Sequence, residues 1–452
     1  MARKRVLAPA RILVIGFLSI AVVGALLLLL PIATTPGHSL SFWDALFTST
    51  SAVCVTGLTV VNTGEAFTLF GQIVILLLIQ VGGLGFMTVA SLLFLAVGKR
   101  FSLKERLIIQ ESFNENTLQG LVRLVRSALL IAVSVELAGA VLLSVSFIPD
   151  FGWGQGLWFS VFIAVSAFCN AGFDPLGMTN SLEAYQTDPL VCIPLMLLVI
   201  IGGLGFAVLT DLLHAPRHKR ALMLHTRIVL RVTAGLLIAG ALLLLLIEWN
   251  NPATLGKPGM NAGEKVLSAA FQSVTSRTAG FDTIGQAGMT PAGKLVTTLL
   301  MFIGASPAGT GGGIKTTTFF IIALAVWSIV SRRRDYNVCK RRLDDQLIRR
   351  AFAICTLGLA LVLTDTLLIC VVENAAGQTL PLDNVLFEVV SAFSTTGLSC
   401  SLTAQLHGIA RLLLTGTMLI GRVGPLTISM ALAGDATGKN AVRYPEDRLM
   451  VG

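Results

Sequence analysis

The sequence predicts an all-α polytopic membrane protein in which four helical repeats surround one axis. Two observations carry this prediction: the composition, and a glycine motif that recurs four times between apolar stretches. Of the 452 residues, 54% are hydrophobic and only 13% are charged. An average soluble domain carries about 25% charged residues. The composition therefore excludes an ordinary soluble protein.

Eight apolar stretches of roughly 20 residues are long enough to cross a bilayer core about 30 Å thick. They form four pairs, so we expect eight transmembrane spans in four units, 1–98, 99–216, 217–335 and 336–452. The first stretch is too long for a signal peptide, and we expect it to be retained. The spans are 12–32, 69–97, 126–148, 190–213, 228–248, 292–330 with an interruption, 351–372 and 408–433.

Each unit carries one glycine motif between its two spans, and successive motifs are 108 to 117 residues apart. A short apolar segment precedes each motif and cannot cross the bilayer as a helix. We therefore predict four re-entrant pore helices, and parallel repeats around an axis along the membrane normal. The motifs are SAVCVTGLT at Gly57, SAFCNAGFD at Gly172, SVTSRTAGFD at Gly280 and SAFSTTGLS at Gly397, and the segments are 41–53, 155–168, 262–275 and 383–393.

The third motif differs from the others by one residue. A phenylalanine stands ten residues before the glycine in three units, at Phe47, Phe162 and Phe387. In the third unit, Phe271 stands nine residues before Gly280. This offset predicts a different turn in the third unit.

A second signature recurs in the second span of every unit. The four copies are VGGLGF at Val81, IGGLGF at Ile201, IGASPAG at Ile303 and IGRVGP at Ile420. Small residues permit close helix contact or a break. We therefore expect each second span to be kinked.

The positive charges predict the orientation. Of the 33 Lys and Arg residues, 26 lie in the segments 1–13, 98–126, 214–231, 331–350 and the tail from 434. By the positive-inside rule, both termini and the connectors between units are cytoplasmic. In a membrane protein such clusters are anchors beside anionic lipid, so we predict no nucleic-acid partner.

Four glycine turns around one axis suit a cation pathway. A dehydrated cation needs oxygen ligands, and backbone carbonyls supply them where the chain leaves helical geometry. Glycine permits that departure because it reaches positive φ at little cost. The sequence thus predicts a pseudo-fourfold pore with a selectivity filter. Its expected ligands are the carbonyls of Val55, Thr56, Gly57, Asn170, Ala171, Gly172, Thr278, Ala279, Gly280, Thr395, Thr396 and Gly397.

The second span of the third unit is interrupted by SPAGTGGGIKTTT, residues 306–318. Proline and repeated glycine cannot maintain a helix, so we expect a flexible loop that gates the pathway. The string resembles a phosphate-binding loop, but Ile314 stands where that motif requires glycine, and no nucleotide is expected to bind this chain. The predicted gate comprises Ser306, Pro307, Ala308, Gly309, Thr310, Gly311, Gly312, Gly313, Lys315 and Arg422.

Three cations map inside the apolar zone. Arg422 occupies the position of Gly83 and Gly203 in other units, where a charge is costly unless it faces protein or water. We expect it to repel cations or to donate to loop carbonyls. Lys315 either anchors the end of the loop or takes part in gating. For Arg277 we expect a carboxylate partner, with Asp282 and Glu388 as the alternatives.

Together these motifs resemble the Trk/Ktr/HKT superfamily of potassium transporters, and within it the KtrB-type membrane subunit. The resemblance extends over nearly the whole chain, including the tail RYPEDRLMVG. It implies K+ at the filter residues, Na+ as a second candidate ion, and a gating role for the loop. It also implies a homodimer in a bacterial inner membrane, on a cytoplasmic ring of nucleotide-binding RCK subunits of the KtrA type.

A different transport class remains open, a Na+-coupled cation symporter with alternating access. Parallel repeats argue against it, because that design usually needs two moving halves. A receptor without transport would leave the four glycine motifs unexplained. An enzyme is not predicted, since the sequence shows neither a nucleophile triad nor metal-ligand spacing.

Overall fold

The computed structural model describes residues 9–85, 121–177, 182–217, 221–333 and 335–433. These residues are mostly helical, with one two-stranded antiparallel pair, β1 (Asn337–Val338) and β2 (Arg341–Arg342). The helices are α1 (Pro9–Leu28), α2 (Phe42–Cys54), α3 (Thr63–Ala66), α4 (Leu69–Leu84), α5 (Leu121–Phe168), α6 (Pro189–Leu204), α7 (Phe206–Arg217), α8 (Leu224–Glu248), α9 (Ala262–Thr275), α10 (Pro291–Phe302), α11 (Thr316–Val330), α12 (Asp345–Ala375), α13 (Leu382–Ser394), α14 (Gly408–Val423) and α15 (Pro425–Ala433).

Several helices have the length and hydropathy of membrane spans. Four meet both criteria in the described residues: Arg11–Leu28, Arg126–Phe168, Leu224–Glu248 and Asp345–Ala375. The pair α6 and α7 meets the criteria together and is bent by 96°, as a broken span or a re-entrant loop is, and α4, α10 and α11 are shorter apolar helices. The prediction of a helical membrane protein is confirmed, while the count of eight spans stays a prediction. Residues 86–97 of the second predicted span, most of the basic segment 98–126 and the tail from 434 lie outside the described residues.

Short helices coincide with the four predicted pore segments. They are α2, α9, α13 and the C-terminal part of α5, where Gly152 (φ 79°, ψ 169°) interrupts the helix after Pro149. α9 begins at a capping box in which Asn261 and Glu264 each accept the other's backbone N–H at 2.9 Å. Such a cap satisfies amides that have no partner within the helix. Local sequence thus defines where this short helix begins.

The helices pack in a closed order. In the first, third and fourth predicted units the first helix packs on its own short helix: α1 on α2, α8 on α9 and α12 on α13. The second helix also contacts the next unit: α4 packs against α5, α6 against α9, α10 against α13, and α14 against α2. The last contact returns to the first unit, so the order of contacts closes on itself.

Burial separates the short helices from the long ones. The four phenylalanines noted above, Phe47, Phe162, Phe271 and Phe387, are at most 2% exposed. The long helices instead present large apolar side chains on their outer faces, such as Val141, Leu246 and Leu367, each more than 60% exposed. An apolar outer surface of this kind suits lipid contact.

Candidate functional site: a glycine ring and the adjoining loop

The four glycine motifs share one backbone conformation. In each, a residue with left-handed φ stands two positions before a glycine that also has positive φ. Left-handed geometry costs an L-residue about 1–2 kcal/mol, so four occurrences at corresponding positions indicate a conformation that packing enforces. The left-handed residues are Val55, Asn170, Thr278 and Thr395, with φ of 58°, 57°, 69° and 52°, and the glycines are Gly57, Gly172, Gly280 and Gly397, with φ of 90°, 69°, 80° and 92°.

These four glycines form a ring, called the glycine ring below. A Cβ placed on Gly57 would lie 2.5 Å from the carbonyl oxygen of Ala171 and 3.1 Å from Cα of Gly172. A Cβ on Gly172 would lie 2.8 Å from the carbonyl oxygen of Ala279 and 2.9 Å from Cα of Gly280. Each glycine therefore faces the backbone of the next motif.

The same pattern closes the ring. A Cβ on Gly280 would collide with the carbonyl oxygen of Thr396 and lie 3.2 Å from Cα of Gly397. A Cβ on Gly397 would collide with the carbonyl oxygen of Thr56 and lie 3.0 Å from Cα of Gly57. The ring admits no side chain at these positions, which explains the glycine in all four motifs.

Serine hydroxyls hold the turns in the first and fourth motifs. Ser51 Oγ accepts the N–H of Gly57 at 3.1 Å, and Ser391 Oγ accepts the N–H of Gly397 at 3.0 Å. The N–H of Thr56 and of Thr396 each donate to the carbonyl of the same serine at 2.8 Å. With the amides turned back toward the helix, the carbonyls are directed away from it. The sequence prediction did not include these serines, although both begin the repeated motif.

The third motif has one residue fewer than the others between its phenylalanine and its glycine, and its turn differs, as the phenylalanine offset predicted. α9 ends at Thr275, Ser276 keeps right-handed helical geometry, and Thr278 is the left-handed residue. Thr275 Oγ1 donates to the carbonyl of Phe281 at 2.6 Å, a contact that replaces the serine link of the first and fourth motifs. Arg277 lies in this different turn and is buried, with 7% of its surface exposed.

The prediction that Arg277 pairs with a carboxylate is wrong. Its Nη2 donates to the carbonyl oxygen of Gly304 at 2.9 Å. Asp282 accepts from Gln286 Nε2 at 2.8 Å, and Glu388 accepts from Ser399, Thr403 and the N–H of Leu402. Both carboxylates are thus satisfied by neutral donors near their own turns.

Residues 303–315 join α10 to α11 and are called the glycine-rich loop. Ile303 and Ile314 form a parallel bridge at its base. Ser306 N–H donates to the carbonyl of Gly203 at 3.0 Å, and Thr310 Oγ1 donates to the carbonyl of Phe168 at 3.3 Å. The loop therefore binds to the second unit at the bend between α6 and α7.

The glycines of the loop lie against the third and fourth motifs. A Cβ on Gly311 would collide with Thr278 Oγ1, and one on Gly312 would lie 2.5 Å from Thr395 Oγ1. The N–H of Gly312 donates to Thr395 Oγ1 at 2.9 Å. Because Thr278 and Thr395 are the left-handed residues next to the ring, the loop lies directly beside it.

Besides Arg277, two further cations donate to carbonyls of the loop. Lys315 Nζ donates to the carbonyl of Gly311 at 2.6 Å. Arg422 donates through Nη1 to the carbonyl of Thr310, and through Nη2 to the carbonyls of Gly82 and, at 3.3 Å, Gly83. Arg422 therefore joins the loop to the first unit, and Lys315 braces the loop internally.

Comparison with known proteins agrees with this architecture. The family model TrkH, described as a cation transport protein, matches residues 7–438. The chain belongs to the TrkH family. It is a KtrB-type member of the Trk/Ktr superfamily, because it is 40% identical over 98% of its length to the Ktr system potassium uptake protein B of Bacillus subtilis, and covers 97% of that protein.

Two further matches extend the comparison. The potassium/sodium uptake protein NtpJ of Enterococcus hirae is 40% identical over the whole chain, which covers 98% of that protein. The crystal structure of the potassium transporter TrkH from Vibrio parahaemolyticus superposes with a TM-score of 0.73 at 17% identity, covering 95% of this chain and 86% of that one. The structural match shows a shared fold. The family is one of transporters and not of enzymes.

In this TrkH-family chain, glycines of the second repeated signature pack against the ends of the short helices that lead into the ring. A Cβ on Gly82, Gly202 or Gly421 would collide with the carbonyl oxygen of Val53, Phe168 or Phe393, respectively. Each of these carbonyls belongs to the residue two positions before a left-handed residue. The signature glycines therefore permit the second helices to touch the ends of the short helices. In the third unit, Gly304 instead meets the carbonyl of Gly312 in the loop.

The structure brings all twelve predicted filter residues into the four turns that form the ring. The ten predicted gate residues lie in the glycine-rich loop or donate to it, as Arg422 does. The contacts of Arg277 and of the two motif serines are additions that the sequence prediction lacked.

Proposed function

We propose that this protein takes up potassium ions across the bacterial cell membrane, through a pathway centred on the glycine ring. In this proposal four parallel repeats with eight spans surround a pseudo-fourfold pore. The observation that carries the proposal is the mutual approach of Gly57, Gly172, Gly280 and Gly397. Converging backbone turns supply carbonyl oxygens that replace the hydration shell of a cation.

The filter assignment follows from the carbonyls around the ring. The carbonyl oxygens of Ala171, Ala279, Thr396 and Thr56 lie beside Gly57, Gly172, Gly280 and Gly397, respectively. The proposed ion-binding groups are these four and the other carbonyls of residues 55–57, 170–172, 278–280 and 395–397. Neutral carbonyls bind a monovalent cation without the strong attraction of a carboxylate, so the ion is able to leave again.

Relatives support potassium as the ion. The proteins of Bacillus subtilis and Vibrio alginolyticus, 40% and 38% identical, are both named potassium uptake proteins. The Enterococcus relative is named for potassium and sodium. A Na+-coupled symporter with alternating access is therefore the second candidate. It predicts K+ uptake that requires Na+ and is unchanged when residues 310–313 are trimmed.

The glycine-rich loop is the proposed gate. It lies against Thr278 and Thr395, and Arg422 connects it to the first unit. A loop beside the narrowest part of a pathway blocks ions, and the positive charges of Lys315 and Arg422 add an electrostatic barrier. Opening requires the loop to move, and glycines absorb such a change in backbone geometry.

We place the protein in the bacterial inner membrane with cytoplasmic termini, as a homodimer on a ring of nucleotide-binding RCK subunits that controls the gate. The basic segments support the orientation. The word "system" in the names of relatives supports a multi-subunit complex. Reconstitution with and without an RCK subunit tests the control of uptake.

Uptake by whole cells tests the function. In a bacterium that lacks its own potassium uptake, the chain together with an RCK partner is expected to restore K+ and Rb+ uptake and to exclude Na+. Gly397→Ser is expected to reduce discrimination between K+ and Na+, since a side chain there meets the backbone of Thr56 and the positive φ disfavours it.

Gly377→Ser is the matched control, because Gly377 also has positive φ (85°) but a Cβ there meets nothing within 4 Å. It is expected to keep the selectivity of the wild type. Equal selectivity in Gly397→Ser and wild type contradicts the filter assignment. Absence of K+ uptake by the wild type with its partner contradicts the function itself.

A further inference from the structure

Arg277 and the adjacent Thr278 connect the third glycine motif to the glycine-rich loop. We propose that this connection couples the position of the loop to the ion selectivity of the ring, with Arg277 as the positioning residue. The proposal rests on the function proposed above, because it assigns selectivity to the ring and gating to the loop.

The first link is a hydrogen bond at the start of the loop. Arg277 Nη2 donates to the carbonyl of Gly304 at 2.9 Å, and Gly304 follows directly after the base of the loop at Ile303. Arg277 is bonded through one peptide to Thr278, whose carbonyl is a proposed ion ligand. A displacement of Gly304 is thus transmitted to the ring over a short path.

The second link lies in the middle of the loop. Gly311 approaches so closely that a Cβ there would collide with Thr278 Oγ1 and lie 2.7 Å from Thr278 Cβ. On its other side, Thr278 Oγ1 accepts from Asn170 Nδ2 at 3.2 Å. Thr278 is therefore held between the loop and the second motif, and movement of either one displaces it.

The guanidinium of Arg277 has only one strong protein contact. Its Nε and Nη1 have no hydrogen-bond partner among the described residues, and neither has Thr233 Oγ1. Arg277 and Thr233 line the same cavity, together with Val199, Ile200 and Leu237. A buried arginine with a purely structural role usually has its donors satisfied. Because Arg277 is held mainly at Gly304, its position follows the loop.

The third unit alone provides this path. Its turn is one residue shorter than the others between the phenylalanine and the glycine, and it alone of the four has an arginine directly before the left-handed residue. The fourth motif also meets the loop, but through the side chain of Thr395 at Gly312. A substitution at position 311 therefore probes the third motif specifically.

A pair of loop variants tests the coupling from the side of the gate. Gly311→Ala presses on Thr278, whereas a Cβ on Gly309 would lie 3.0 Å from the carbonyl oxygens of Gly203 and Ser306, away from the ring. Coupling between sites typically changes affinity about fivefold or more. We expect Gly311→Ala to change the ratio of Rb+ to K+ uptake by about that factor, and Gly309→Ala to change only the rate.

A double-mutant cycle tests Arg277 itself. Arg422→Ala releases the loop from the first unit and is expected to raise the maximal rate and to shift both the KM for K+ and the Rb+/K+ ratio. In the Arg277→Gln background, Arg422→Ala is expected to raise the rate while KM and the ratio no longer respond. Arg277→Lys, which keeps a donor for Gly304, is expected to restore part of the response.

The outcomes separate the two proposals. If the wild type with its partner moves no K+, the proposed function fails. If the wild type with its partner moves K+ but Gly311→Ala leaves the ion ratio unchanged, or changes it no more than Gly309→Ala does, the proposed coupling is wrong. An equal response of KM to Arg422→Ala in both backgrounds also contradicts it. Should Arg277→Gln not reach the membrane, the Gly311 and Gly309 variants decide the question alone.

Discussion

The second and third units break their second helices in different ways. In the second unit, α6 ends at Leu204 and α7 begins at Phe206, so Gly205 (φ 92°) alone produces a bend of 96°. In the third unit, α10 ends at Phe302 and α11 begins only at Thr316. A single glycine thus suffices for a break. The longer connection in the third unit serves to place backbone beside the ring.

The two breaks are also in contact. The N–H of Phe206 donates to the carbonyl of Ala308 at 3.0 Å, and a Cβ on Gly205 would collide with the carbonyl of Pro307. Non-helical backbone at membrane depth requires protein or water partners. The bend at Gly205 in the second unit provides such partners for the glycine-rich loop of the third unit.

The largest effect is expected from releasing the loop of the third unit. Arg422→Ala removes the donors to Thr310 and Gly82, which are the link between the loop and the first unit. A hydrogen bond to a charged group contributes about 1.5–3 kcal/mol, so an increase in K+ flux on the order of tenfold is expected. Flux into proteoliposomes without an RCK partner measures it.

Arg231→Ala is the control for that experiment, because Arg231 is an exposed residue of α8 whose contact is with Cys339. It is expected to leave the flux unchanged. A flux of Arg422→Ala equal to that of the wild type would show that the loop is not the barrier.

A moderate effect is expected from adding a side chain where α6 touches the end of α5 in the second unit. Gly202→Ala places a methyl group against the carbonyl of Phe168. Overpacking of this kind typically costs about 1–3 kcal/mol. We expect a lower midpoint of thermal unfolding in detergent. Gly416→Ala in α14, where a Cβ meets nothing within 4 Å, is expected to keep the wild-type midpoint. Equal midpoints in both variants would show that the close approach is unimportant.

The smallest effect concerns the ion pairs that join neighbouring units. Arg411 at the start of α14 pairs with Asp44 of α2 at 2.8 Å, and Lys294 of α10 pairs with Asp383 of α13 at 3.5 Å. Partly exposed pairs contribute roughly 0.2–1 kcal/mol. Asp44→Asn is expected to lower the unfolding midpoint slightly at low salt and not at high salt. A large, salt-independent loss would indicate a different role for this pair.

Local patterns allowed much of this site to be predicted. The repeated glycines and the phenylalanine spacing identified the four turns and the irregular third one, because both reflect backbone requirements within about ten residues of chain. The position of Arg422 among small residues also identified it, since an isolated charge in an apolar span needs polar partners.

The partners of the charges could not be predicted in the same way. Arg277 and Gly304 are separated by 27 residues, and Arg422 and Gly82 by 340. The sequence suggested carboxylates as partners of Arg277, because a sequence shows which residues are charged. It does not show which backbone carbonyls lack a donor. The role of Lys315 as an internal brace of the loop depends on how the loop folds back toward Gly311.

Composition and periodicity by themselves determined the membrane setting, the helical class and the location of the four glycine turns, because hydropathy and backbone freedom are local properties of a chain. Tertiary structure decided that those turns meet in a ring, that the loop lies against Thr278 and Thr395, and that Arg277 and Arg422 donate to carbonyls. The reason is that such contacts depend on helix packing, which brings together groups hundreds of residues apart.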